Sequence, residues 1–265
     1  MEQEIGKMNP NILIGNTPFV LDRYERTLRK YGSGDANISF NDLKIENGFY
    51  SCPFNEAQNA NGITHVTDDQ VQHETFQLTI PQAILEHKEI SPQELLNYNT
   101  ASLEHNWGYY LADEFLGRRL AGELPHINIE GSDFTIDWRL KELRETEAPF
   151  NCLRFNNMEL SENGERYLFF YHRQAHCLFR PGTDSDRLPD HVILIAIPNE
   201  LKLDPVGVAR QYGLKDFELL REFPIQKELR SESIPLAGPG KLKKQLSEKN
   251  EDRKQQKKKR NGRHL

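Results

Sequence analysis

Apolar and polar residues alternate over short runs along this chain, in two stretches that keep the same order. In the first, Asn11–Ile14 and Phe19–Leu21 flank the turn-prone Gly15-Asn16-Thr17-Pro18 and predict two short strands. Arg23–Lys30 is polar and reads either as a helix or as an extension of the strand. Ile38 and Phe40 begin another strand region, which Leu43 and Ile45 extend. Asn47-Gly48, two residues that tolerate positive φ, turns it into Phe49–Phe54. Phe76, Leu78 and Ile80 then alternate with Gln77 and Thr79 until Pro81, which cannot donate to a continuing ladder. The second stretch predicts strands near His126–Ile129, Phe134–Trp138, Leu153–Leu160, Tyr167–His172, Cys177–Phe179 and Val192–Ile197.

Helix signals punctuate these strands. Ser91-Pro92-Gln93-Glu94 offers a cap, a proline at the first helical position and a glutamate that can reach back to the cap. Asp204-Pro205 repeats the device, with the helix running to about Tyr212 and Gly213 as its stop. Trp107, Tyr110, Leu111, Phe115 and Leu116 fall near a helical period, with Gly122 as a stop. They predict a helix that bridges one stretch to the other.

The order of landmarks is that of an internal duplication. Residues 19–45 lie over 134–160 at a constant offset of 115, with Phe19/Phe134, Asp22/Asp137, Leu28/Leu143, Arg29/Arg144, Phe40/Phe155 and Asn41/Asn156 identical. With small gaps, Asn47-Gly48 meets Asn163-Gly164 and Ile80-Pro81 meets Ile197-Pro198. A repeat of this kind sets the architecture. The expected fold is α+β: two homologous β-rich units, residues 1–98 and 124–230, joined by a bridging helix or linker over 99–123. A Pro/Gly hinge and a basic, disordered tail follow over 231–265.

Charge sharpens this division. From Lys241 to Leu265 there are 11 Lys/Arg against 3 Asp/Glu, a net +8, whereas the rest of the chain holds 23 against 37, a net −14. An acidic body with a basic tail suggests a polyanion such as nucleic acid as a partner. Lys254, Lys257, Lys258, Lys259 and Arg260 are the residues expected to carry it, by neutralising phosphates without reading sequence. No aromatics interleave with them, so base stacking is not expected. A solvated tail that only aids solubility is the competing reading. The longest apolar run, Val192–Ile197, is far short of a membrane span, and no signal-peptide segment opens the chain. Cys52, Cys152 and Cys177 cannot all pair, which fits reduced thiols in a cytoplasmic protein.

Motifs that announce a reaction are missing. There is no glycine-rich phosphate loop and no Gly-x-Ser-x-Gly elbow, and no cofactor is expected. His172, His176 and Cys177 form the densest group of ligand-type residues, but they read as two strands of a hairpin, so no metal is expected. Asp22 and Asp137 match in the repeat and raise the thought of a carboxylate pair sharing a proton. Arg23 and Trp138 follow them, and the favoured role is turn acceptor or Arg partner. Val208–Leu219 has helix-turn-helix spacing, yet Asp216 and Glu218 stand where a phosphate-facing helix avoids acids, which favours a structural helical pair.

Leu124–Asp137, with its Leu-Pro-x-Ile-x-Ile-x-Gly opening, and Ile197–Gly213, with its Asp-Pro-Val-Gly helix start, resemble uncharacterised proteins carried on bacterial conjugative and other mobile elements. The resemblance covers mainly the second unit and implies a cytoplasmic accessory role, with no catalytic residues to transfer. The expectation is a non-enzymatic adaptor whose acidic body binds a protein and whose tail contacts nucleic acid nonspecifically. A hydrolase or nuclease with a site in a cleft between the two units is the alternative, and a self-assembling component a third; whether the chain is an enzyme stays open.

Overall fold

A computed structural model describes residues 11–32, 37–55, 75–86, 90–182 and 188–235. It is a mixed α+β structure of mostly antiparallel sheets with few, short helices. Two compact units divide the chain: Met1–Pro125 with Asp204–Lys227, and His126–Leu203 with Glu228–Leu265.

In the first unit, β1 (Ile12–Ile14), β2 (Thr17–Asp22), β3 (Thr27–Lys30) and β4 (Asn37–Ser39) form consecutive antiparallel hairpins. A short 3-10 turn, Phe40–Asp42, leads into β5 (Lys44–Glu46), β6 (Phe49–Asn55) and β7 (Thr75–Pro81), a second sheet. Asn47 (φ 51°) and Gly48 (φ 84°) make the expected tight turn between β5 and β6. The polar run Arg23–Lys30 resolves as a turn followed by β3, because Leu28 alternates into the core while Thr27 and Arg29 keep partly to solvent. Phe19, Leu28, Phe40, Phe54 and Leu78 meet in one core between the two sheets.

After α1 (Gln82–Glu86) comes α2 (Pro92–His105), whose start follows the capping-box expectation: Ser91 Oγ accepts from Glu94 N at 3.3 Å, and Ser91 N donates to Glu94 Oε2 at 2.9 Å. Ser91→Ala should lower the unfolding free energy by about 1 kcal/mol, read from the urea midpoint at unchanged slope.

The expected continuous helix over 99–123 does not form. That stretch holds the end of α2, then β8 (Tyr109–Leu111) and α3 (Glu114–Leu120), all within the first unit. Asn106 ends α2 in the left-handed region, and Gly108 (φ 81°) follows. A Cβ on Gly108 would stand 2.2 Å from the Phe76 ring, so the chain needs glycine there. β8 pairs with β1 on one side. On the other, α2 supplies side chains as a ladder: Asn99 Nδ2 donates to Leu111 O (2.9 Å) and its Oδ1 accepts from Leu111 N (2.7 Å), while Ser102 Oγ donates to Tyr109 O. Backbone groups that a helix would have satisfied internally are met in this way.

In the second unit, β9 (His126–Ile129), β10 (Ser132–Asp137), β11 (Glu142–Glu145) and β12 (Cys152–Arg154) form a four-stranded antiparallel sheet. The single strand expected over Leu153–Leu160 is broken by a 3-10 turn at Phe155–Asn157, which places β13 (Glu159–Leu160) in another sheet. That sheet is built on β14 (Arg166–His172) and β16 (Val192–Pro198). β13 and β15 (Cys177–Phe179) both pair with β14, and β17 (Glu232–Ile234) pairs with β16. α4 (Glu200–Leu203) closes this part of the chain.

Residues 204–227, expected with the second unit, pack in the first. α5 (Pro205–Gln211) is capped by Asp204, whose Oδ1 accepts from Gly207 N at 2.9 Å. Arg119, on α3, clasps the same carboxylate through Nε (3.0 Å) and a terminal nitrogen (2.9 Å). Val206, Phe217 and Leu220 then pack on Leu13, Leu116 and Leu120. The second helix of the expected helical pair is absent: Asp216–Leu220 is a series of turns, and Asp216 instead receives both Nε (2.9 Å) and a terminal nitrogen (2.6 Å) of Arg210.

Candidate functional site

The repeated aspartates are turn acceptors. Asp22 Oδ1 accepts from Tyr24 N (3.0 Å) and Glu25 N (2.9 Å), and its other oxygen pairs with Arg29. Asp137 Oδ1 accepts from Leu140 N at 3.0 Å. A carboxylate engaged by its own turn is oriented along the backbone and serves the β-hairpin.

His172 and Cys177 are direct partners across β14 and β15. The His172 ring lies 4.1 Å, centroid to centroid, from that of His191. His172 Nδ1 accepts from Ala175 N at 3.1 Å. A neutral imidazole held this way keeps its proton on Nε2 and has no lone pair left for a metal. Among the described residues no group of three or more His, Cys, Asp or Glu has metal-holding geometry.

His176 points elsewhere, into a polar cluster of the second unit. It stands at the β14–β15 turn with φ 48°, a left-handed conformation uncommon outside glycine. Its Nδ1 is 2.6 Å from Glu145 Oε1 and 3.3 Å from Ser132 Oγ. Asn151 Nδ2 donates to the other Glu145 oxygen at 2.6 Å, and the buried Tyr171 ring lies 6.2 Å from the imidazole, centroid to centroid, with 24° between the planes. Glu145 is 6% exposed. Burial pushes its pKa up, but the hydrogen bonds from Asn151 and His176 outweigh burial and hold the carboxyl below its ordinary value.

Serine, histidine and glutamate are thus assembled, but not as a nucleophilic relay. Both oxygens approach the same ring nitrogen. Once Nδ1 donates to Glu145, it has no lone pair to accept the Ser132 proton, which a relay would take on the other nitrogen. The arrangement ties β10 and β11 to the β14–β15 turn. A second tie, Arg173 to Glu130 at 2.9 Å, lies beside it.

Two of the thiols, Cys52 and Cys152, are unreactive by environment. Cys52 is pushed up to about 11 by burial. Cys152 is raised by burial and by Glu142, to whose Oε2 its thiol donates at 3.0 Å. Glu142 is in turn held below its ordinary value, first by that thiol and then by Arg144. A raised thiol stays protonated at neutral pH and is a poor nucleophile.

These carboxylates predict an acid limb. A carboxyl whose folded-state pKa is depressed contributes stability above its unfolded value, here 4.5, and that contribution is lost as pH falls through the folded pKa. The melting temperature should therefore hold steady at pH 5–7 and fall below about pH 4.5, and Glu145→Gln should flatten the fall. An equally steep limb in the variant would remove Glu145 from this role.

Lys254, Lys257, Lys258, Lys259 and Arg260 lie outside the described residues. Ser132, Glu145, Asn151 and Tyr171 carried no signal in the sequence, since no motif joins them and only the packing of one sheet on another brings them together. No protein-family model, curated protein or solved structure matches this chain. Among the described residues no helix is long and apolar enough to cross a membrane.

Proposed function

We propose that this protein is a non-enzymatic cytoplasmic adaptor: its acidic body engages a protein, and its basic tail holds nucleic acid without sequence preference. One observation carries the reading, the division of charge into a net −14 over residues 1–240 and a net +8 over the last 25. Clustered cations exchange condensed counterions for phosphate contacts, whereas an acidic body repels the same polyanion. The resemblance of Leu124–Asp137 and Ile197–Gly213 to mobile-element proteins supports an accessory setting.

The reading includes descent by internal duplication. Supporting it, the strand registers repeat at the sequence offset of 115: Phe19 pairs with Lys30 as Phe134 pairs with Glu145, and Leu28 with Ile38 as Leu143 with Leu153. Arg26 (φ 54°) and Lys141 (φ 59°) share the left-handed conformation, and their carbonyls accept from Phe40 N and Phe155 N at 2.9 and 3.0 Å. Two copies of one scaffold allow one to diverge for binding while the other preserves the fold.

The direct experiment compares the full chain with a 1–240 truncation for retention of duplex and single-stranded nucleic acid across a salt series. Tail-dependent retention that falls with salt is expected. Undiminished retention by the truncation would overturn the assignment.

A further inference from the structure

We propose that Asn47 is a site of spontaneous covalent modification, at which the Gly48 amide displaces the side-chain ammonia and leaves an aspartyl or isoaspartyl residue in the β5–β6 turn. Glu46-Asn47-Gly48 and Glu162-Asn163-Gly164 are the same tripeptide and meet in the repeated order of landmarks. One reactive sequence therefore stands in two comparable settings. The reaction needs Gly48 N to reach Asn47 Cγ. A following glycine favours it, because no Cβ crowds the attacking nitrogen. The rate then depends on whether that nitrogen and the asparagine side chain can turn toward each other.

In the β5–β6 turn they can. Asn47 and Gly48 are exposed, and Glu46 pairs with Phe49, so the two residues stand alone at the hairpin tip. Gln82 N donates to Gly48 O at 2.9 Å, on the carbonyl side and away from the attacking nitrogen. Among the described residues, neither Gly48 N nor the Asn47 side chain has a hydrogen-bond partner. At Asn163 both groups are held. Gly164 N donates to Ser161 O at 2.9 Å. Asn163 Oδ1 accepts from Ser161 Oγ at 2.8 Å and from Glu165 N at 3.1 Å. Asn199 Nδ2 fixes the Gly164 carbonyl as well, at 2.9 Å. The bond at Gly164 N and the two at Asn163 Oδ1 must open before attack, which slows Asn163 roughly tenfold or more relative to Asn47.

Water is the only co-reactant. Gly48 N bonds to Asn47 Cγ and gives up its proton, the side-chain nitrogen leaves as ammonia, and a succinimide ring closes. Water that then opens the ring bond to Cγ leaves aspartate. Water that opens the bond to the main-chain carbonyl leaves isoaspartate, whose chain runs through Cγ and is longer by an atom. Either product adds a negative charge beside Glu46, which already pairs with Lys44. Aspartate accepts the left-handed φ of 51° at this position. The longer isoaspartyl chain no longer fits a tight turn closed by the Glu46–Phe49 pair. The aspartyl protein should keep the hairpin, and the isoaspartyl protein should lose hydrogen-exchange protection over Lys44–Glu46 and Phe49–Asn55.

The test incubates the full-length protein in mildly alkaline buffer and follows each Asn-Gly peptide by mass spectrometry after proteolysis. Labelling by an isoaspartyl methyltransferase scores the isoaspartyl product, and Asn47→Asp supplies the aspartyl standard. Asn61-Gly62 and Asn261-Gly262, which lie outside the described residues, are followed as separate peptides. In the folded chain Asn47 should convert roughly tenfold or more faster than Asn163. In urea the two should convert alike, because the hydrogen bonds are gone and the reacting tripeptide is the same. Ser161→Ala, which removes a donor to Asn163, should speed conversion there and leave Asn47 unchanged. An Asn47 that stays intact, or equal rates in the folded chain, overturns the inference. So does a difference that persists in urea, since residues beyond the tripeptide, and not the fold, would then set the rate.

Discussion

Replacing Arg119 by alanine should lower the stability of the first unit by about 3–5 kcal/mol, the range for removing one partner of a buried ion pair. Asp204 is 2% exposed and does two jobs: it caps α5 through Gly207 N and receives both arms of the Arg119 fork. Without the guanidinium, a buried carboxylate is left with one backbone donor. Gly207 is what allows so close a cap, since a Cβ there would stand 2.1 Å from Asp204 Oδ2. Urea unfolding should show the loss, and hydrogen exchange should place it at residues 204–227 and on their partners Leu13, Leu116 and Leu120. Arg119→Met with Asp204→Asn should recover most of it, since asparagine keeps the cap and leaves no charge to compensate. If Arg119→Ala unfolds at the wild-type midpoint, the pair is not what holds this segment.

Removing residues 241–265 should have the largest effect on binding. With five side chains engaged, Lys254, Lys257, Lys258, Lys259 and Arg260, the logarithm of affinity should fall with log salt at a slope of about −4.5 on duplex and about −3.5 on a single strand. A fourfold rise in salt then weakens duplex binding roughly 500-fold. Truncated protein should show no retention at low salt. Changing the five together to Gln should reproduce the truncation, and changing one should reduce the slope by about one. A slope near zero in the full chain would mean that retention is not electrostatic and that the tail serves solubility.

Local signals were legible in the sequence where the physics is local. Asn47-Gly48 turns because both residues accept positive φ, and Ser91-Pro92-Gln93-Glu94 starts a helix because its side chains satisfy free amides within four residues. Most strands follow from alternation alone, as in Phe76–Ile80. The failures fall where a distant partner outbids local preference. Trp107–Leu116 has helical spacing, yet Gly108 against Phe76, and β8 between β1 and the Asn99 and Ser102 side chains, make it a strand. The same holds for Asp216–Leu220, where Arg210 captures the carboxylate expected on a helix.

The candidate site was hidden for a related reason. His176 was visible as a ligand-type residue, but its partners Ser132 and Glu145 lie 44 and 31 positions away and share no motif with it. Proximity in a β structure is set by strand pairing, and pairing across sheets is a matter of packing.

By itself, the sequence determined the strand-rich character of this protein, its repeated order of landmarks, its helix caps and its division of charge, because each depends on residues near one another or on composition. Only the tertiary structure decided that residues 204–227 belong with the first unit. That depends on which side chains meet across long sequence separations, where burial and a paired charge outweigh any local preference.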